Sequence, residues 1–259
     1  MDRSPEAGTE ELPAPLQSRW IDATKLPSRP LTQGAIVAAA TDEVEEFKRC
    51  FGFRPAVAVP PTFIWNHLVE QAWRAAGVHV VVTPGRRFES RDGSGRPVAE
   101  SPATRNGERS ASGVLYIVRD DYFEPERGHT AERALSALAN KTRLGRPTLL
   151  ETHRSNFLDP ERRQHALGEI RSLFERALEN YPDLAFVSTE RLARILEGND
   201  PYWIESRVPS RVHGFIERTW TLPRMRKLLW LTTLMLPVGL LWAVSGWFGQ
   251  RYTIESQGA

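Results

Sequence analysis

The chain has almost no sulfur chemistry to offer. Cys50 is its only cysteine, so an internal disulfide and a cysteine-built zinc site are both excluded. Its FKRCFG context reads as a packing position at the end of a helix. There is no P-loop, no GxGxxG, no GxSxG and no HExxH, which leaves the nucleotide-binding, serine-hydrolase and zincin classes without support. No two histidines stand four residues apart. A charge excess is missing as well: 34 Lys and Arg face 32 acids, a balance that gives no general affinity for nucleic acid. Internal repeats are absent. The opening segment MDRSPEAGTEELPAP carries no apolar stretch of the kind that marks a secretory signal.

What the chain does have is a long uncharged run near its end. Residues 228–248 read LLWLTTLMLPVGLLWAVSGWF, 21 residues without a charge. At about 1.5 Å per residue such a helix covers roughly 30 Å, the hydrocarbon thickness of a bilayer. Trp230 and Trp247 stand near its two ends, where indole rings favour the membrane interface. The run predicts a single C-terminal transmembrane helix. Arg218, Arg224, Arg226 and Lys227 precede it and only Arg251 follows closely. Basic flanks resist translocation and meet anionic headgroups, so the expectation is a single-pass membrane protein, in contact with lipid, whose soluble body is cytoplasmic.

The remainder, about 210 residues, suits one domain of ordinary size. Residues 1–30, with Pro5, Pro13, Pro15, Pro27 and Pro30, read as a flexible or surface-draped arm. Residues 31–200 read as an α/β domain, 201–227 as a basic juxtamembrane linker and 249–259 as a short tail. Within the domain, helices are expected over 32–50, 64–76, 129–144, 159–181 and from Ser188 to about Gly198. Short apolar strands are expected at 56–59, 78–82, 113–118, 148–152 and 184–187. Pro160 suits the first turn of its helix, and Ser188 an N-cap. The stretch 84–112 holds six arginines and little apolar content; it reads as a disordered insertion, with a lid as the alternative. Strands alternating with amphipathic helices indicate parallel βα units, in an open sheet or part of a barrel.

Sites in such folds form at the C-terminal ends of strands, which directs attention to Pro60, Pro61, Thr62, Thr83, Arg119, Asp120, Asp121, His153, Arg154 and Ser188. His153, directly after TLLET, is the strongest candidate: an imidazole there is placed for general acid work or metal ligation. A histidine bonded to a neighbouring loop is the plainer alternative. Arg54 precedes the strand AVAV and could orient a carboxylate or serve as a surface charge. Asp120 and Asp121 could act as acid and base, bind a metal, or form a turn.

The order FGFRPAVAVPPTFIW, AAGVHVVV, RPTLLETHRSNF, DLAFVSTERLARIL resembles the C-terminal half of the polysaccharide deacetylases, the NodB-like carbohydrate esterases. Arg54-Pro55 looks like that family's arginine-proline segment, Leu149 to His153 like its late histidine strand, and Ser188 to Ala193 like its closing helix. The resemblance covers about residues 30–198. It implies a partial (β/α) barrel of the glycoside hydrolase/deacetylase type and hydrolysis of acetyl groups on a glycan substrate. His153 would then be the catalytic acid, Arg54 would steady the catalytic carboxylate, and Pro61 and Trp65 would contact substrate. A divalent, zinc-like metal is expected only in a complete family member. Its ligands come from an N-terminal TFDD-like strand end and an H-x-x-x-H segment, and this sequence has neither; no metal ligand is assigned here. The expectation is a membrane-anchored fragment of a deacetylase-like protein with little activity alone. The rival is a non-catalytic membrane-anchored domain that binds a glycan or a protein. A third option is unrelated chemistry that uses Asp120, Asp121 and His153.

Overall fold

A computed structural model describes residues 18–22, 26–99, 103–119 and 121–257, with side chains as far as Phe248. In chain order the elements are β1 (Ile21–Asp22), β2 (Arg29–Pro30), α1 (Gln33–Phe51), β3 (Val57–Ala58), α2 (His67–Ala76), β4 (Val80–Thr83), β5 (Phe88–Arg91), β6 (Pro97–Ala99), β7 (Leu115–Val118), β8 (Asp121–Tyr122), α3 (Ala131–Arg143), β9 (Leu150–Glu151), α4 (Ser155–Leu158), α5 (Pro160–Asn180), α6 (Thr189–Gly198), α7 (Val208–Trp220), α8 (Pro223–Leu231) and α9 (Met235–Gln257). Single 3-10 turns cover Pro61–Phe63 and Pro125–Arg127. The fold is mixed α/β. Instead of one domain over 31–200, the chain forms two compact units: residues 1–122, 149–151 and 185–197 in the first, and 123–148, 152–184 and 198–259 in the second.

In the first unit, α1 starts where Thr32 Oγ1 accepts the Ala35 N–H at 3.3 Å. It buries Ile36, Ala40 and Val44, which recur on one face at helical spacing. The second helix starts later than its hydrophobic pattern predicts. Asn66 Oδ1 accepts the N–H groups of Leu68 and Val69, an N-cap, while Ile64 and Trp65 ahead of it are buried in extended or turn backbone. Gly77 ends α2 at φ 102°, a conformation that side chains with a Cβ resist. Strand β4, buried at all four residues, lies between β3 and β7 in a parallel sheet with Val80 opposite Val57 and Leu115. Such two-sided burial explains its run of β-branched residues.

Several expectations change here. Among the described residues no closed barrel forms: the parallel strands make a three-stranded sheet, β3-β4-β7, and a separate pair, β8-β9. The fifth expected strand, 184–187, is irregular backbone leading into α6, whose Ala193 packs with Val80, Val82, Leu115 and Ile117. The polar stretch 84–112 is ordered where described: β5 and β6 pair antiparallel across a turn at Asp92–Gly95. Its arginines have partners that apolar counting overlooks, such as Arg91 with Gly95 O and Arg87 with Glu89. Residues 18–22 and 26–30 are not a loose arm, since Trp20 is buried edge-on against Trp73 and β1 pairs with β2; residues 1–17 and 23–25 of the expected arm lie outside the described residues. Trp20, Trp65 and Trp73 centre this core. Each contributes on the order of 4–6 kcal/mol of transfer free energy as an upper bound.

In the second unit, α3 packs on α5 through Leu135, Leu138, Leu173 and Ala177, with Phe123 beside them. Asp159 caps α5 and Pro160 occupies its first turn, as the sequence predicts. The expected linker 201–227 holds α7 and the start of α8. The expected single transmembrane helix is broken. Among the described residues no single helix is long and apolar enough to cross a membrane; Pro223–Leu231 and Met235–Phe248 reach that length and composition only as a pair, bent by 117°. The break falls at Thr232–Leu234, where Thr233 has φ 57°.

Candidate functional site

His153 follows β9 and belongs to the second unit. Its Nδ1 lies 2.6 Å from Glu124 Oε1. The Glu124 side chain is 2% exposed and that of His153 39%, so a buried carboxylate backs a ring that reaches solvent. Glu124 is held by the turn it opens. Its carbonyl accepts from the N–H groups of Arg127 and His129, and its own N–H donates to His129 Nδ1 at 3.2 Å. Asn156, wholly buried on α4, donates through Nδ2 to the other carboxylate oxygen, Glu124 Oε2, at 2.5 Å and to His153 O at 2.9 Å. Asn156 Oδ1 in turn accepts the Glu126 N–H at 3.1 Å. Ser155 Oγ donates to Glu126 Oε1 at 2.7 Å at the rim.

This arrangement has a clear chemical use. An ionised carboxylate only accepts hydrogen bonds, so Glu124 directs the Nδ1 proton inward and makes Nε2 the nitrogen that can exchange a proton with a ligand. A carboxylate also compensates the charge that appears on the ring when Nε2 is protonated. Acid–base catalysis by an oriented histidine is the direct capability of such a pair.

Arg54, Pro61 and Trp65 lie in the first unit. Arg54 pairs with Glu45 and reaches Ala76 O at 3.5 Å; both partners of that ion pair are half exposed, a surface geometry of little energetic consequence. Pro61 opens the turn Pro61–Phe63 at the end of β3, where Thr62 and Phe63 adopt φ of 52° and 57°, strained for residues with a Cβ. Trp65 is fully buried and donates Nε1 to Glu70 Oε1 at 2.9 Å, so its ring serves the core and offers no face to solvent. Asp120 lies outside the described residues, and Asp121 sits on β8. At the same strand ends Arg119 pairs with buried Glu151 at 2.8 Å and lies 4.9 Å over the Phe63 ring. Burial lowers the Arg119 pKa, with Glu151 opposing.

Three groups escaped sequence reasoning. Glu124 stands three residues past Asp121, in the same strand-end loop. Asn156 is in the quoted HRSNF segment but has no chemistry that marks it alone. Glu70 sits in the first turn of α2, yet is buried and accepts on Oε1 from Trp65, from Tyr116 Oη at 2.5 Å and from Arg87 at 3.1 Å. Nothing in an amphipathic pattern separates it from a solvated Glu.

Among the described residues no three His, Cys, Asp or Glu side chains gather in a group that could hold a metal ion. The divalent metal implied by the resemblance has no fitting ligand set among them. No protein-family model, curated protein or solved structure matches the chain.

Proposed function

We propose that the protein is a membrane-tethered relative of the polysaccharide deacetylases, which in complete family members hydrolyse acetyl groups of a glycan; His153 stands in the place of the general acid, and the chain, without the metal-binding motifs, has little activity alone. The observation that carries this is the 2.6 Å contact between His153 Nδ1 and the buried Glu124 carboxylate. In this scheme water adds to the acetyl carbonyl and gives up a proton to solvent, and the C–N or C–O bond to the sugar breaks as the protonated His153 ring delivers its Nε2 proton to the departing nitrogen or oxygen and is then reprotonated from solvent. Acetate and the free amine or hydroxyl are released. Glu124 keeps the ring oriented and offsets its charge; Asn156 and the turn Pro125–Arg127 keep Glu124 in place. Proton delivery by a positioned side chain contributes roughly 10²- to 10⁴-fold. The tether is the apolar bent pair α8 and α9.

The test is acetate release from N-acetylated and O-acetylated oligosaccharides by the full chain in detergent, with divalent metals supplied one at a time. The expected result is slow turnover, in keeping with the missing metal-binding motifs, that falls at least ~100-fold in His153→Asn while the circular dichroism spectrum is unchanged. Equal turnover by His153→Asn overturns the assignment. Glycan binding without acetate release under every metal makes the protein a membrane-anchored binding domain.

A further inference from the structure

The apolar end of the second unit supports a more specific statement about how the protein meets a membrane. Between Leu222 and Phe248 thirteen large apolar side chains are exposed, more than scattered surface residues would account for. Trp230 and Leu236 are 72% and 84% exposed. No acid falls between Arg218 and Phe248, while Arg224, Arg226 and Lys227 stand exposed on α8. Bare apolar surface beside unopposed cations complements one occupant, an anionic lipid surface.

The geometry also speaks to depth. The two arms meet at 117°, and at about 1.5 Å per residue neither α8 nor the apolar part of α9 covers the roughly 30 Å of a hydrocarbon core. The middle of α9 is tied to charged groups as well. Trp242 Nε1 donates to Glu217 Oε1 on α7 at 2.8 Å, and Glu217 Oε2 pairs with Arg143 of α3 at 2.5 Å. His213 stacks on Trp242 with ring centroids 5.2 Å apart and lies 3.1 Å by Nδ1 from Trp242 O. The His213 ring lies 2.9 Å from where a Cβ on Gly246 would stand, so the two helices approach this closely only because position 246 has no side chain. Taking α9 across the bilayer with these contacts intact would carry Glu217, Arg143 and His213 into hydrocarbon, where charged groups are expensive.

We propose that α8 and α9 lie in the interface of an anionic bilayer, sunk into one leaflet rather than crossing it, while α7 stays docked on α9. The segment after Phe248 then remains on the same side as α7. This rests on the membrane tether proposed above and gives it a geometry.

The test uses the full chain with a cleavable C-terminal tag. It is mixed with vesicles of phosphatidylcholine alone or with roughly 30% phosphatidylserine. The expected results are preferential sedimentation with the anionic vesicles and tryptophan quenching stronger from shallow than from bilayer-centre brominated lipids. The tag should be cleaved completely from outside. Reversing Arg224, Arg226 and Lys227 to Glu, all exposed, should weaken vesicle affinity at least ~10-fold. Failure to bind either vesicle overturns the tether itself. Binding with a protected tag keeps the tether and overturns the in-plane placement. Self-association that covers the tryptophans without lipid binding overturns both.

Discussion

Asn156 donates its side-chain amide to the one oxygen of Glu124 that His153 does not engage, at 2.5 Å, and does so from a fully buried position. A buried carboxylate deprived of a donor keeps its desolvation penalty and loses the compensation. Asn156→Ala should therefore cost about 2–3 kcal/mol, read as a lower urea midpoint with an unchanged slope. Asn156→Asp, which sets a second carboxylate against the first, should cost more.

Glu124→Gln keeps the shape of the side chain and removes its charge. The imidazole then loses the group that fixes its protonated nitrogen. The expected outcome is a fall in acetate release of about 100-fold, together with a loss of about 1–3 kcal/mol in stability because the new amide NH2 faces a donor. Adding His153→Asn should lower the rate little further, because the two residues act as a unit. Additive losses would mean that they act separately.

Tyr116 supplies a pH signature. Burial, then its hydrogen bond to Glu70, holds the phenol above its ordinary value of 10.0. The fold thus favours the neutral form. The associated stability is complete below about pH 10, the unfolded value, and is lost as pH rises toward the higher folded value. Thermal midpoints of the native protein should fall steeply above pH 10, and Tyr116→Phe should flatten that fall, at a cost of about 1 kcal/mol at neutral pH.

Trp20 packs edge-on against Trp73 at a centroid distance of 5.2 Å and is 1% exposed. Trp20→Ala should destabilise the first unit by about 3–5 kcal/mol, measured by chemical denaturation. A loss below ~0.5 kcal/mol, the range of ordinary surface substitutions, would restore residues 18–30 to the status of a surface arm.

The parts of the fold that the sequence predicts correctly are those governed by local chemistry. Thr32, Pro160 and Ser188 mark helix starts because capping and proline geometry act within one turn, and all three helices begin there. The strand VVVT is visible for the same reason: β-branched runs have few alternatives. The hairpin β5-β6 is hidden because its stability comes from ion pairs and backbone bonds such as Arg91 N–H to Ser28 Oγ, 63 positions away. The break in the apolar run is hidden too. Thr232 and Thr233 return their hydroxyls to nearby carbonyls, Leu228 O and Thr232 O, so hydropathy sees two tolerable residues where the backbone turns. His153 could be singled out from its strand end, but its partner came from 29 positions earlier. That pairing is tertiary information.

The division of the chain has a consequence during synthesis. Ala193 on α6 packs with Val80, Val82, Leu115 and Ile117, so the first unit cannot close its interior when its first 122 residues leave the ribosome. It must wait for residues 185–197, which are made after the intervening segments of the second unit. Domains usually mature in the order of translation. Here the first unit is obliged to stay open while residues 123–184 are made, with a buried sheet's worth of valines and isoleucines waiting for a helix or for a chaperone.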